Sequence, residues 1–157
     1  MDNSTQHSID HVFKQLNDRA NLVYKFAMLY SDYMAVKKDY GTGLLINMVE
    51  MHTLTSIQEN PGITASQLSK MWDRTPGAIS QTLTKLQQKK LIERKKDEGN
   101  AKTILLYATP EGERLSRAHK TYDAADVAET MQELMKNCTT QEIDDFFKVI
   151  SYYIQLF

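Results

Sequence analysis

A change of hydrophobic period in the middle third of the chain constrains its fold more than any other feature. Thr64-Ala65-Ser66-Gln67 is a capping box, in which the Thr64 hydroxyl can take the third helical amide and Gln67 can reach back. It predicts a short helix over about 65–72. Thr75-Pro76 repeats the signal in another form, because Thr caps well and Pro is best tolerated at the first helical position. The helix it opens runs to about Lys89, with Ile79, Leu83 and Leu86 at the three-four spacing of a buried side. Residues 91–96 and 103–108 then read as two strands joined by the polar tip Asp97-Glu98-Gly99-Asn100. Two short helices joined by a tight turn and followed by a hairpin make a winged helix-turn-helix.

The flanks are helical. Apolar residues at Ile9, Val12, Phe13, Leu16, Ala20, Val23 and Tyr24 predict an amphipathic helix over 8–37, followed by a connecting loop at 37–43. A second helix, 46–59, stops at Asn60-Pro61-Gly62. Thr109-Pro110 opens a long helix over about 111–136, and the capping box Thr139-Thr140-Gln141-Glu142 opens the last one. With 3 prolines and 6 glycines in 157 residues, long regular elements are expected. The reading is one mainly α unit with a small β-hairpin wing. Residues 46–110 form the winged centre; 8–37 and 111–157 flank it. Val12, Phe13, Phe146, Phe147, Ile150, Tyr152, Tyr153, Ile154, Leu156 and Phe157 supply more apolar surface than one small core obviously needs, which agrees with pairing to a second copy without demanding it.

Charge is divided along the chain. The net charge is −1, yet residues 70–102 hold nine Lys/Arg and four Asp/Glu, while the remainder holds ten and sixteen. A basic centre in an acidic body is a footprint for phosphate. On the second short helix, Thr75, Pro76, Gly77, Ser80, Gln81 and Thr84 are small or short enough to approach base edges, and Gln81 can pair with adenine in bidentate fashion. Lys85 and Lys89 lie a turn further on, where phosphates run. Arg94, Lys95, Lys96 and Lys102 sit on or beside the hairpin, and no acidic cluster in the sequence faces them. Double-stranded DNA is the expected partner. The alternative is a winged-helix module that binds another protein, which an apolar outward face would have favoured.

These strings resemble a known family. Ile63-Thr64-Ala65-Ser66-Gln67-Leu68-Ser69, Ala78 through Leu86, Leu91-Ile92-Glu93-Arg94 and Ala108-Thr109-Pro110-Glu111-Gly112 are similar to the MarR family (multiple antibiotic resistance regulators). The flanking helices match in placement and length. The chain departs at Lys90, where the family usually has Gly, and at Asn100 and Lys102, where it has an Asp-x-Arg pair. The resemblance implies a sequence-specific transcriptional regulator, a repressor in the usual case, bound as a homodimer to a palindromic operator and released by a small effector. Met and Tyr residues in or near the first two helices (Tyr24, Met28, Tyr30, Tyr33, Met34, Met48, Met51) are candidates to line an effector pocket.

The resemblance also implies a metal-responsive alternative. His52, His119 and Asp123 fall near positions used by zinc-sensing members, but Met34 stands where a further carboxylate is expected. No metal site and no cofactor is therefore assigned from sequence. Cys138 lies between the last two helices and reads as structural. There is no glycine-rich phosphate loop, nucleophile elbow or paired-histidine hydrolase motif, so no enzyme is expected. The apolar runs are too short to span a bilayer and no secretory leader is visible, so the expected compartment is the cytoplasm, with no membrane partner.

Overall fold

The computed structural model describes residues 3–156. Its elements run α1 (Asn3–Ala35), β1 (Lys37–Asp39), β2 (Leu45–Asn47), α2 (Met48–Glu59), α3 (Ala65–Met71), α4 (Pro76–Gln88), β3 (Ile92–Lys96), β4 (Ile104–Ala108), α5 (Pro110–Leu134) and α6 (Thr140–Ile154). The fold is mainly helical, with the wing formed by β3 and β4. Each of the capping signals is used. Thr64 and Gln67 close a reciprocal box on α3, and Thr139 and Glu142 close another on α6. Thr75 and Thr109 each accept an amide hydrogen bond ahead of a proline in the first turn.

One element differs from the sequence reading. The loop expected at 37–43 is part of an antiparallel hairpin in which Lys37 pairs with Asn47, Lys38 with Ile46 and Asp39 with Leu45. Three-residue strands are too short to carry a period, so alternation could not reveal them. The turn is made by the Asp39 carboxylate, which accepts the amides of Thr42 and Gly43, each at 2.9 Å. Gly41 and Gly43 have φ of 81° and 79°, the left-handed region that glycine enters without steric cost.

The core lies between residues 40 and 115. Met51, Leu54 and Ile57 of α2, Leu68 of α3, Leu86 of α4, Leu91, Leu106 and Leu115 are fully buried, and Ile79 and Leu83 nearly so. Each such side chain contributes roughly 1.5–3 kcal/mol of burial. A single backbone bridge joins the turn after α2 to the wing, where Gly62 N donates to Leu106 O (2.9 Å) and Leu106 N to Ile63 O (3.0 Å). The outer helices are different. Ile143 is the buried apolar residue of α6, while Phe146, Phe147, Tyr152, Tyr153 and Ile154 are 45–67% exposed. Helix α1, roughly 50 Å long at 1.5 Å per residue, carries Phe13, Leu16, Leu22 and Tyr24 at 60% exposure or more. Among the described residues no helix is long and apolar enough to cross a membrane.

Four elements meet at one backbone crossing. After α4 the chain turns through Lys90 at φ 59°, and Leu91 N returns to Leu86 O at 3.0 Å. Thr109 N then donates to Leu91 O (3.0 Å) and Thr109 Oγ1 to Lys90 O (2.8 Å), tying the end of β4 to the start of β3. Helix α5 passes so close that a Cβ at Gly112 would lie 2.1 Å from Leu91 O. Two outcomes follow for thermal or urea melts. Gly112→Ala forces backbone apart and lowers stability by about 3 kcal/mol. Lys90→Gly relieves a left-handed residue and raises stability by about 0.5–1 kcal/mol; an unchanged midpoint for either variant refutes this account of the crossing.

Candidate nucleic-acid interface and a buried histidine cluster

Helix α4 presents two chemically distinct sides. Ile79, Leu83 and Leu86 are buried, whereas Ser80, Gln81, Thr84 and Lys85 are exposed, as are Thr75, Pro76 and Gly77 at its start. Three-four spacing separates the sets by geometry. Thr75 caps the helix by accepting from Ala78 N at 3.3 Å, and the Thr84 hydroxyl turns back to Ser80 O at 2.9 Å. The turn that orients α4 is braced. Arg74 N donates to Ser69 O (3.0 Å), Ser69 Oγ donates to Arg74 O (2.5 Å), and Asp73 supplies the left-handed residue at φ 47°.

The basic residues divide into two groups. Lys89 turns inward, pairing with the Glu50 carboxylate and reaching Leu45 O at 3.5 Å. Glu50 is 4% exposed, so the cation is engaged in neutralising a buried charge. This corrects the expectation that Lys89 faces phosphate beside Lys85. Lys95 is also engaged: its Nζ lies 2.6 Å from Glu93 Oε1 and 4.9 Å above the Tyr107 ring, although no acidic partner was expected on the hairpin. Arg94, Lys96 and Lys102 are exposed, and the tip between the strands is set by Asn100 Oδ1 accepting from Lys102 N at 3.2 Å.

A second constellation lies under the helix-turn-helix. His52 of α2 and His119 of α5 stand with ring centroids 5.0 Å apart, and His119 Nε2 is 3.1 Å from Asp123 Oδ2. One donor atom from each of the three lies within 4.8 Å of the others. His119 is 2% exposed, and its Nδ1 is buried without a hydrogen-bond partner. Burial holds the His119 imidazole below its usual pKa range against the upward pull of Asp123. A neutral imidazole with an uncommitted buried nitrogen, beside a second imidazole and a carboxylate, fits a divalent cation with a fourth position left open. Tyr40, from the hairpin that the sequence hid, closes over this group edge-on, 4.9 Å from His119 and 5.1 Å from Tyr122.

Between this cluster and α4 is a cavity of about 200 Å³ whose lining includes Met34, Met48, His52, Trp72, Arg74 and Thr82. Of the Met and Tyr residues expected at an effector pocket, Met34 and Met48 reach it. Met51 is sealed in the core, and Tyr24, Met28 and Tyr30 are exposed on α1. Trp72 and Ser56 had no signal in the sequence as site residues. Trp72 Nε1 donates to Ser56 Oγ at 3.1 Å, and its ring lies 5.9 Å from that of His52.

Known proteins are similar to this chain in sequence and in fold. Residues 46–104 match the sequence model of the MarR family. An uncharacterized HTH-type transcriptional regulator of Bacillus subtilis, YhjH, is 25% identical over 96 residues, 61% of this chain and 55% of that protein. The aligned region thus spans about half the length of that relative. Streptococcus pneumoniae FabT, solved in complex with DNA, is 24% identical with a TM-score of 0.65 over 92% of this chain and 96% of that one. Lactococcus lactis ZitR, a zinc-responsive member of the MarR family, is 18% identical with a TM-score of 0.66 over 88% and 99%. Over residues 46–104 the chain is thus similar in sequence to the MarR family, and its fold is the winged helix-turn-helix fold of these solved structures.

Proposed function

We propose that the protein is a transcriptional regulator that reads double-stranded DNA with α4 and grips it with the β3–β4 wing. One observation carries this reading: the exposed side of α4 is a row of short polar side chains, Ser80, Gln81 and Thr84, and the wing carries exposed cations at Arg94, Lys96 and Lys102 that have no ion-pair partner among the described residues. Polar groups without bulk suit base edges, and unpaired cations suit phosphate. The DNA complex of the similarly folded FabT supports the same use of the fold.

The reading extends to assembly and control. The apolar sides of α1 and α6 lack cover along most of their length, and their occupant is a second copy of this chain. Two-fold symmetry would then present two copies of α4 to a palindromic operator, as a repressor requires when it blocks transcription by occupancy. Release is assigned to a small effector in the cavity between α2 and α4, whose lining joins α1, through Met34, to the reading head. The His52–His119–Asp123 cluster favours a divalent cation as a second reading of that effector, because three donors and an orphaned buried nitrogen converge there. In that case the two imidazoles would hold the ion, with Asp123 either ligating it or fixing the His119 ring.

Three measurements test the proposal. Gln81→Ala costs about 1–3 kcal/mol on the best operator and relaxes preference at one base position per half-site, with the melt unchanged. Leu83→Ala does the reverse, lowering stability by roughly 2–5 kcal/mol; equal operator-to-random ratios in wild type and Gln81→Ala would remove that residue from base reading. For the wing, Lys96→Ala flattens the plot of log affinity against log salt by about 0.9. Lys95→Ala, already paired with Glu93, changes the slope less. An unchanged slope for Lys96→Ala takes that lysine off the phosphates. In sedimentation at micromolar concentration the wild type runs as a dimer and Phe147→Asp as a monomer; a monomeric wild type ends the symmetric model.

A further inference from the structure

We infer that Trp72 transmits the state of the histidine cluster to α4, acting through the Ser56 hydroxyl as the positioning residue of the reading head. The inference rests on the metal-responsive reading of the cluster given above.

The geometry forms a short relay. Ser56 sits one turn beyond His52 on α2; its Oγ donates to His52 O at 2.9 Å and accepts from Trp72 Nε1 at 3.1 Å. The hydroxyl is therefore committed on both sides, and Ser56 is buried at 6% exposure. The indole ring also faces the His52 imidazole, 5.9 Å between centroids. Two contacts of different kinds thus join Trp72 to the turn of α2 that carries the candidate ligand.

On its other side Trp72 has little slack. It is the C-cap of α3, and Asp73 and Arg74 alone separate it from Thr75, the N-cap of α4. The reciprocal Ser69–Arg74 hydrogen bonds make that turn rigid, so displacement of Trp72 passes to the first turn of α4. Trp72 and Arg74 line the same cavity as Ala78 and Thr82 of α4. Ser80 and Gln81 follow within that turn of the helix. Ligation of a cation by His52 fixes the imidazole in one orientation and adds positive charge to a cavity that already holds the Arg74 side chain. Either change alters the surface on which the indole rests. A tryptophan serving merely as core filling would be buried on all sides, yet Trp72 is 42% exposed while holding a specific hydrogen bond.

The test uses the full chain, Zn²⁺ and Co²⁺ as the ions, and a random-sequence duplex as the DNA. Co²⁺ absorption reports binding, the emission of the single tryptophan reports the relay, and duplex affinity with and without Zn²⁺ reports the outcome. In wild type, a cobalt band that His52→Ala abolishes, a shift in Trp72 emission and about a tenfold change in duplex affinity are expected. Trp72→Phe keeps a ring but no N–H, and Ser56→Ala keeps the indole but breaks the relay. Both retain the cobalt band, and in both the Zn²⁺-dependent change, taken against that variant's own metal-free duplex affinity, falls below about twofold. If Trp72→Phe folds poorly, Ser56→Ala alone carries the test. A full tenfold response in Ser56→Ala overturns the relay and leaves the metal reading standing. Absence of any cobalt band in wild type overturns the metal reading, and the relay with it for want of an input.

Discussion

The carbonyl of Leu91 is the point on which the rest of the molecule turns. It accepts the Thr109 amide and lies against the bare α-carbon of Gly112, so the end of α4, both wing strands and the start of α5 are brought together at one peptide group. Hydrogen bonds at this point fix the angle between α4 and the wing, and the missing side chain fixes the distance to α5. Lys90 enters the crossing in a left-handed conformation at a position where glycine is the family habit. The strain is tolerated because Leu91 N and Lys90 O are both satisfied on either side of it. Packing of Leu54, Leu86, Leu91 and Leu115 then surrounds a geometry that the backbone has already set.

Charge in this protein works at two depths. Lys89 and Lys95 have partners and act within the fold, while Lys85, Arg94, Lys96 and Lys102 remain exposed around the face that we assign to DNA. A net charge of −1 conceals this because the acidic residues are concentrated elsewhere in the chain. The division matters for affinity: a lysine already held by a carboxylate brings less counterion release on meeting phosphate than a free one.

Much of this was legible in the sequence because it is local. Caps at Thr64, Thr75, Thr109 and Thr139 act within four residues, so the starts of α3, α4, α5 and α6 could be read from residue type and spacing. The inward and outward sides of α4 follow from helical period alone. What escaped was non-local or too short. The β1–β2 hairpin has three residues per strand, and its turn depends on one aspartate. Lys89 meets Glu50 across 39 residues of sequence, and Trp72 meets Ser56 across 16, distances at which neither period nor motif speaks. His52, His119 and Asp123 could be named from family positions, but their convergence beneath Tyr40 is a tertiary fact.

The join between Glu50 and Lys89 gives the molecule an uneven response to heat. Hydrophobic burial per unit area levels off as temperature rises, whereas the penalty for stripping water from ions declines. The start of α2 and the end of α4 are held by a charged pair at the margin of an otherwise apolar core. On warming, that edge therefore keeps more of its hold, while the aliphatic interior gains nothing further. The C-terminal end of α4 is therefore fastened by two interactions with different thermal trends, the packing of Leu83 and Leu86 and the ion pair at Lys89.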